Sequence, residues 1–193
     1  MKKLLTIHGF NSSPKSLKAE QTKAYFNQHF PQIDVVAPQL KTTPDAAIKQ
    51  LVDIIESAPE ASWMLTGSSL GGYFATYLAS RFSIPAVLIN PAVKPFELLA
   101  EVIGEHTNPY TNETYHVTSE HMQQLKRLWV DDIDVDKFMV MVQKGDEVLD
   151  YQQAVNKYRD TCLLVQEGGD HSFVGFEKML PDVVKFFQLE NNG

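Results

Sequence analysis

The chain has 193 residues, 44% of them hydrophobic, a formal net charge of −7 and a pI near 5.3. That length fits one domain with a substantial core, and the acidic balance disfavours nucleic acid or an anionic membrane surface as a partner. One cysteine, Cys162, excludes an intrachain disulfide and a cysteine-based zinc cluster.

The first strand is expected over Lys3–Ile7. The apolar run there ends at His8, shorter than the ~7–15 residues of a signal-peptide core. No stretch approaches the ~20 apolar residues of a membrane span, so a soluble cytoplasmic protein is expected. The strand runs into His8-Gly9-Phe10-Asn11-Ser12-Ser13-Pro14, a loop at a strand's carboxyl end, where open parallel sheets carry their sites. His8 reads as a structural residue.

A helix follows over Ser16–Phe30, with Leu17, Ala24, Tyr25 and Gln28 near one face, and then a strand over Ile33–Ala37. Thr43-Pro44-Asp45 is a helix start: a capping hydroxyl, proline in the first turn, and an acid near the positive end of the helix dipole. Ala47, Ile48, Leu51, Val52 and Ile55 then recur at helical spacing and predict a core-facing stripe.

Trp63–Ala75 reads as a strand, a Gly-x-Ser-x-Gly turn (Gly67-Ser68-Ser69-Leu70-Gly71) and a helix over Leu70–Arg81. A serine at the tip of such a turn occupies a sparsely populated backbone region. Strand and helix pass so closely around it that the residues two before and two after have almost no room for a side chain. Only Ser69 has glycine at both positions, so Ser69 rather than Ser68 is the candidate nucleophile. The alternative is a glycine-rich turn without chemistry.

Pro85–Asn90 is a further buried strand. Residues 91–136 are long, aromatic and polar, too long for a simple crossover, and read as a helical cap with pieces near Pro95–Ile103 and Ser119–Leu128. Tyr110, Tyr115, His116, His121 and Trp129 could line an acyl or alcohol pocket, or simply pack the insertion onto the body. Phe138–Gln143 and Cys162–Gln166 are the last strands, with Cys162 expected as a small core residue. Asp150–Arg159 and Ser172–Leu189 are helical. Short apolar runs alternating with helices predict an α/β fold: a three-layer, mostly parallel sheet with helices on both faces, one domain carrying a small helical cap.

A serine hydroxyl needs a base, and the base needs a group that fixes its tautomer. After Ser69 the strand-end loops offer Asp146 and His171. His106, His116 and His121 lie in the insertion and His29 lies near the first helix. Asp146 competes with Glu147, with Asp170 beside the histidine, and with Asp150, which reads as a helix cap. The predicted triad is Ser69, His171 and Asp146. The backbone N–H groups of Phe10 and Leu70 are the predicted oxyanion donors. No metal or organic cofactor is required.

The longer strings resemble the small bacterial α/β-hydrolases of the YqiA/YcfP type. They are His8–Pro14, Gly67–Tyr73, Asn90-Pro91-Ala92, Gly145–Tyr151 and Gly168–Phe173 with Gly175-Phe176-Glu177. The YqiA-like esterases are the closer match, because serine, aspartate and histidine are all present. Asp170 stands where some relatives are expected to carry asparagine. The resemblance implies an esterase acting on small-molecule acyl esters, or on acyl thioesters including acyl-CoA. Two other readings remain open at this point: a catalytically silent hydrolase fold used for binding, and the same triad acting on amides or carbon–carbon bonds. Monomer and homodimer are both compatible with the residues.

Overall fold

In the computed structural model, which describes residues 1–189, six parallel strands form one sheet. They are β1 (Lys2–Ile7), β2 (Asp34–Val36), β3 (Ser62–Ser69), β4 (Ala86–Pro91), β7 (Phe138–Gln143) and β8 (Cys162–Gln166), in the spatial order β2-β1-β3-β4-β7-β8. A two-stranded antiparallel hairpin, β5 (Gly104–Thr107) and β6 (Thr114–Val117), stands apart from it. Among the described residues seven α-helices accompany them: α1 (Leu17–His29), α2 (Pro44–Glu56), α3 (Leu70–Phe82), α4 (Pro95–Leu98), α5 (Ser119–Arg127), α6 (Tyr151–Lys157) and α7 (Leu180–Phe186).

Side chains alternate across a strand, and here both faces are covered. Leu4, Met64, Val87 and Met139 join Phe26, Phe30 and Phe176 in one core, on the side of α1 and α7. Their sequence neighbours Leu5, Leu65, Leu88 and Val140 join Leu51, Phe74, Leu78 and Tyr158 in a second core, on the side of α2, α3 and α6. This is the three-layer arrangement expected from the sequence. The aliphatic stripe of α2 is buried as predicted, and Thr43 caps the helix by accepting from Ala46 N–H at 3.3 Å.

Several local expectations are corrected. Helix α1 buries Ala19, Thr22 and Phe26, while Leu17 is 66% exposed. Thr22 can be buried because its hydroxyl donates to Lys18 O. Cys162 is exposed rather than a core residue, because β8 is the edge strand and Cys162 opens it. The closing helix starts at Leu180, not Ser172. Phe173 (φ 64°) and Gly175 (φ 77°) hold left-handed backbone, which cannot continue a helix, so a 3₁₀ turn at Phe176–Met179 leads into α7. The insertion between β4 and β7 carries α4 and α5 as expected, but also the β5–β6 hairpin, so it is mixed rather than purely helical. Tyr73 Oη of α3 donates to Leu125 O of α5 at 2.7 Å and ties the insertion to the body. None of the helices among the described residues is long and apolar enough to cross a membrane.

Candidate active site

Ser69 ends β3 and stands immediately before α3, with φ 55° and ψ −122°. A non-glycine residue held there stores about 1–3 kcal/mol of strain. The surrounding packing imposes it. A Cβ on Gly67 would sit 2.4 Å from Gly71 O, and one on Gly71 would sit 2.1 Å from Ile7 O. Glycine is required at both places because α3 starts directly across the ends of β3 and β1. Leu70 is the first residue of that helix, where the N–H has no intrahelical acceptor.

The loop after β1 runs against the same serine. A Cβ on Gly9 would lie 3.7 Å from Ser69 Oγ. His8 is buried, and its Nε2 accepts from Leu40 N–H at 3.1 Å. The ring proton therefore sits on Nδ1, which donates to Gly9 O at 2.8 Å. The Gly9 carbonyl and the Phe10 N–H belong to one rigid peptide plane, so holding the oxygen aims the N–H at its other end. Burial pushes the His8 pKa below its ordinary value, more than the Gly9 hydrogen bond raises it, and the ring stays neutral.

Asp146 and His171 come from the loops after β7 and β8. The Asp146 carboxylate, 2% exposed, receives His171 Nδ1–H at 2.8 Å (Oδ2) and 3.0 Å (Oδ1). Its Oδ1 also accepts from the N–H groups of Val148 and Leu149. Burial alone would raise the Asp146 pKa. The His171 and backbone hydrogen bonds outweigh it, and the carboxyl is held below its ordinary value. With Nδ1 bonded to Asp146, the imidazole presents Nε2 as its free nitrogen. Among the described residues no hydrogen bond joins Ser69 Oγ to that ring. Such contacts are commonly long before substrate binds.

The other carboxylates of the neighbourhood are each occupied elsewhere. Glu147 accepts the backbone N–H of His171, Asp150 caps α6, and Asp170 accepts the N–H and hydroxyl of Ser172. His106 donates to Val102 O, and His121 Nδ1 accepts from Thr118 N–H.

Two residues to which the sequence assigns no role hold the His171 loop. Asn90 Nδ2 donates to Asp170 O and His171 O, and its Oδ1 accepts from Gln143 N–H. The Gln143 side chain accepts from the N–H groups of Asp170 and Val174 and donates to Val174 O. Both are buried and both close an otherwise apolar strand, Ala86–Ile89 and Phe138–Val142. A lone amide ending a buried apolar run was the available signal, because a buried amide must find partners.

Of the predicted pocket residues, Tyr115 and His121 line a cavity with Phe10 and Leu70, and Tyr115 donates to Asn11 Oδ1 at 2.5 Å. Tyr110 is largely exposed on the hairpin turn. Trp129 packs edge-on against Phe96 and donates to Asp131. Neither Tyr110 nor Trp129 reaches that cavity wall.

Solved structures repeat this architecture. Est1E from Butyrivibrio proteoclasticus, solved with ferulic acid, superposes with a TM-score of 0.75 at 16% identity, covering 99% of this chain and 89% of that one. Mouse alpha/beta hydrolase domain-containing protein 10 gives 0.70 at 18% identity, with 96% and 90% covered. The esterase domain of a Rhodothermus marinus protein gives 0.66 at 15% identity, with 95% and 86% covered. At these identities the likeness is one of fold, and the fold is that of the α/β-hydrolases. The uncharacterised protein family UPF0227 matches residues 3–188, and the chain therefore belongs to that family, the YqiA/YcfP group.

Proposed function

We propose that the chain is a serine hydrolase of carboxylic acyl esters. The observation that supports it is the hydrogen-bonded pair of His171 and the buried Asp146 carboxylate, on loops that follow parallel strands of the sheet whose β3 ends at Ser69 and its strained turn. His171 Nε2 takes the proton of Ser69 Oγ as that oxygen attacks the acyl carbonyl carbon. The carbonyl oxygen becomes an oxyanion held by the N–H groups of Phe10 and Leu70. Each donor of such a pair is worth about 3–4 kcal/mol in the transition state. His171 then gives its proton to the departing alkoxide, leaving an acyl-Ser69 ester. Water loses a proton to His171, attacks the acyl carbon and releases the acid, and Ser69 regains its proton. Asp146 stays ionised throughout and stabilises the imidazolium.

Fluorophosphonate labelling with ester hydrolysis tests this reading. Wild type is expected to label stoichiometrically at Ser69, and Ser69→Ala to lose labelling. His171→Ala is expected to lower kcat by about 10⁴-fold or more. A folded His171→Ala protein that hydrolyses esters at the wild-type rate removes the assigned base. Absence of labelling in folded wild type favours a silent binding protein.

A further inference from the structure

Three carboxylates stand around the proposed base. Asp146 accepts His171 Nδ1–H, Glu147 accepts the His171 backbone N–H, and Asp170 directly precedes the histidine in its loop. Negative charge favours the imidazolium, and a ring that already carries its second proton cannot take one from a serine. A base in this setting needs a positive charge close by to stay free at neutral pH.

Lys18 supplies one from the opposite end of the chain. It is the second residue of α1, where the helix dipole disfavours a cation. Its ammonium donates to Ser172 O at 2.8 Å, across 154 positions of sequence. Ser172 directly follows His171, and Asn90 already holds the carbonyls of Asp170 and His171. Three consecutive carbonyls of the loop are therefore bonded, two by a neutral amide and the third by a cation. Lys18 is half-buried, and it shares the wall of a cavity of about 20 Å³ with His8, Gly67 and Ser68. It thus lies between the histidine loop and the turn that carries Ser69.

The charged groups around Lys18 come from several elements. Burial disfavours its ammonium form, while the carboxylates of Asp170 and then Asp146 favour it. His8 on the cavity wall is neutral and adds no charge. On α1 itself Glu20 is exposed, and Glu177 of the 3₁₀ turn accepts from Gln21 at 3.3 Å. Lys144, on the loop after β7, pairs with the exposed Glu167 rather than with the carboxylates around His171.

Resting on the serine-hydrolase reading, we propose that Lys18 is a positioning residue of the acid–base pair. Its ammonium fixes the His171 loop through Ser172 O, and its charge offsets the surrounding carboxylates so that the imidazole is free to accept the Ser69 proton. Lys18 acts through His171, not on the substrate. Removing its charge leaves the carboxylates unopposed and makes the imidazolium easier to form. The free base then survives only at higher pH, so the acid limb of kcat/KM moves upward.

The test uses the purified full chain and the pH profile of kcat/KM on p-nitrophenyl acetate. Lys18→Gln keeps a hydrogen-bond donor without the charge, Lys18→Met keeps the length without either, and Lys18→Arg keeps both. The acid limb is expected to rise by roughly 0.5–1 pH unit in Lys18→Gln and Lys18→Met, and to stay with the wild type in Lys18→Arg. If Lys18→Met does not fold, Lys18→Gln carries the comparison. An unmoved limb in a folded charge-removing variant overturns the proposal, whatever that variant loses in thermal stability. NMR of the His171 ring, assigned by its loss in His171→Ala, follows the same proton without turnover. A ring titration that moves to higher pH in Lys18→Gln supports the role of the charge, and one that stays in place overturns it. Folded wild type that neither labels nor hydrolyses any ester overturns the hydrolase reading alone, because the ring titration is read without it.

Discussion

The two ends of the candidate site are anchored differently. The acid–base end belongs to the body of the sheet. Asn90 and Gln143 are buried amides that tie the ends of β4 and β7 to the His171 loop, and Gly145 N–H donates to Gly168 O at 2.8 Å to join the two loops directly. The proposed oxyanion end rests on one buried histidine and on the insertion. Tyr115 Oη donates to Asn11, Asn108 Nδ2 donates to Ser12 O at 3.0 Å, and the Phe10 ring packs edge-on against His106 and Tyr115. The position of His171 is thus tied to buried amides of the sheet, whereas the proposed oxyanion loop is held by His8 and by contacts with the insertion. Damage at the first end should appear mainly as lost stability, and damage at the second as lost kcat beside a smaller loss of stability.

The largest expected effect breaks the body end. Gln143→Ala removes the acceptor of the part-buried N–H groups of Asp170 and Val174, and an orphaned donor costs about 1–3 kcal/mol where water cannot replace the partner. The thermal midpoint should drop by about 5 °C or more, and activity should fall with the folded fraction. A Gln143→Ala protein of wild-type stability would erase the contrast between the two ends.

At the oxyanion end, His8→Phe keeps the ring volume but removes both the donor to Gly9 O and the acceptor for Leu40 N–H. We expect kcat to fall about 10–100-fold while KM changes little, because the lost alignment matters in the transition state. Binding of a boronate transition-state analogue should weaken in parallel. A rise in KM at unchanged kcat would place His8 in substrate binding instead.

Tyr115→Phe deletes only the hydroxyl that holds Asn11. About 1 kcal/mol is at stake, so kcat should fall less than tenfold. A double-mutant cycle with Asn11→Ala measures the coupling; additive losses would mean that the bond does not hold the loop.

Acidification sharpens the comparison with the smallest shift. His8 is neutral when folded and its pKa is held below the ordinary 6.5, so below that pH the unfolded chain takes up a proton first. This contribution to stability is intact above 6.5 and is lost as pH falls from there toward the folded value. The Asp146 pKa is also depressed, so its contribution is present above the ordinary 3.8 and is lost as pH falls through its folded value. Melting temperature should therefore decline in two windows, the upper at the oxyanion end and the lower at the acid–base end. His8→Phe should flatten the upper window alone.

How much of this could be read from the residues depends on the range over which each feature is specified. Strand β7 coincides with the predicted Phe138–Gln143, because six consecutive buried positions leave an apolar run that no helix period explains. The stripe of α2 was legible for the matching reason, a regular period against one flat face. The serine turn was legible because close approach of two backbones forces glycine at fixed offsets from Ser69. Helix α1 lies within the predicted span, but its buried face is not legible: it includes Thr22, whose polarity is hidden by a bond to its own helix, while the apolar Leu17 faces outward.

The layers, the strand ends and the residue types on the loops there are thus written in the chain. Those features follow from local periodicity, backbone sterics and the need to cover both faces of a parallel sheet. Long-range packing alone shows that Asn90 and Gln143 hold the His171 loop, that Cys162 lies on an edge, and that a hairpin packs against the loop after β1. Each of these depends on a hydrogen bond or a neighbour far away in the chain. Strand order creates such partners, and no periodicity along the sequence encodes them.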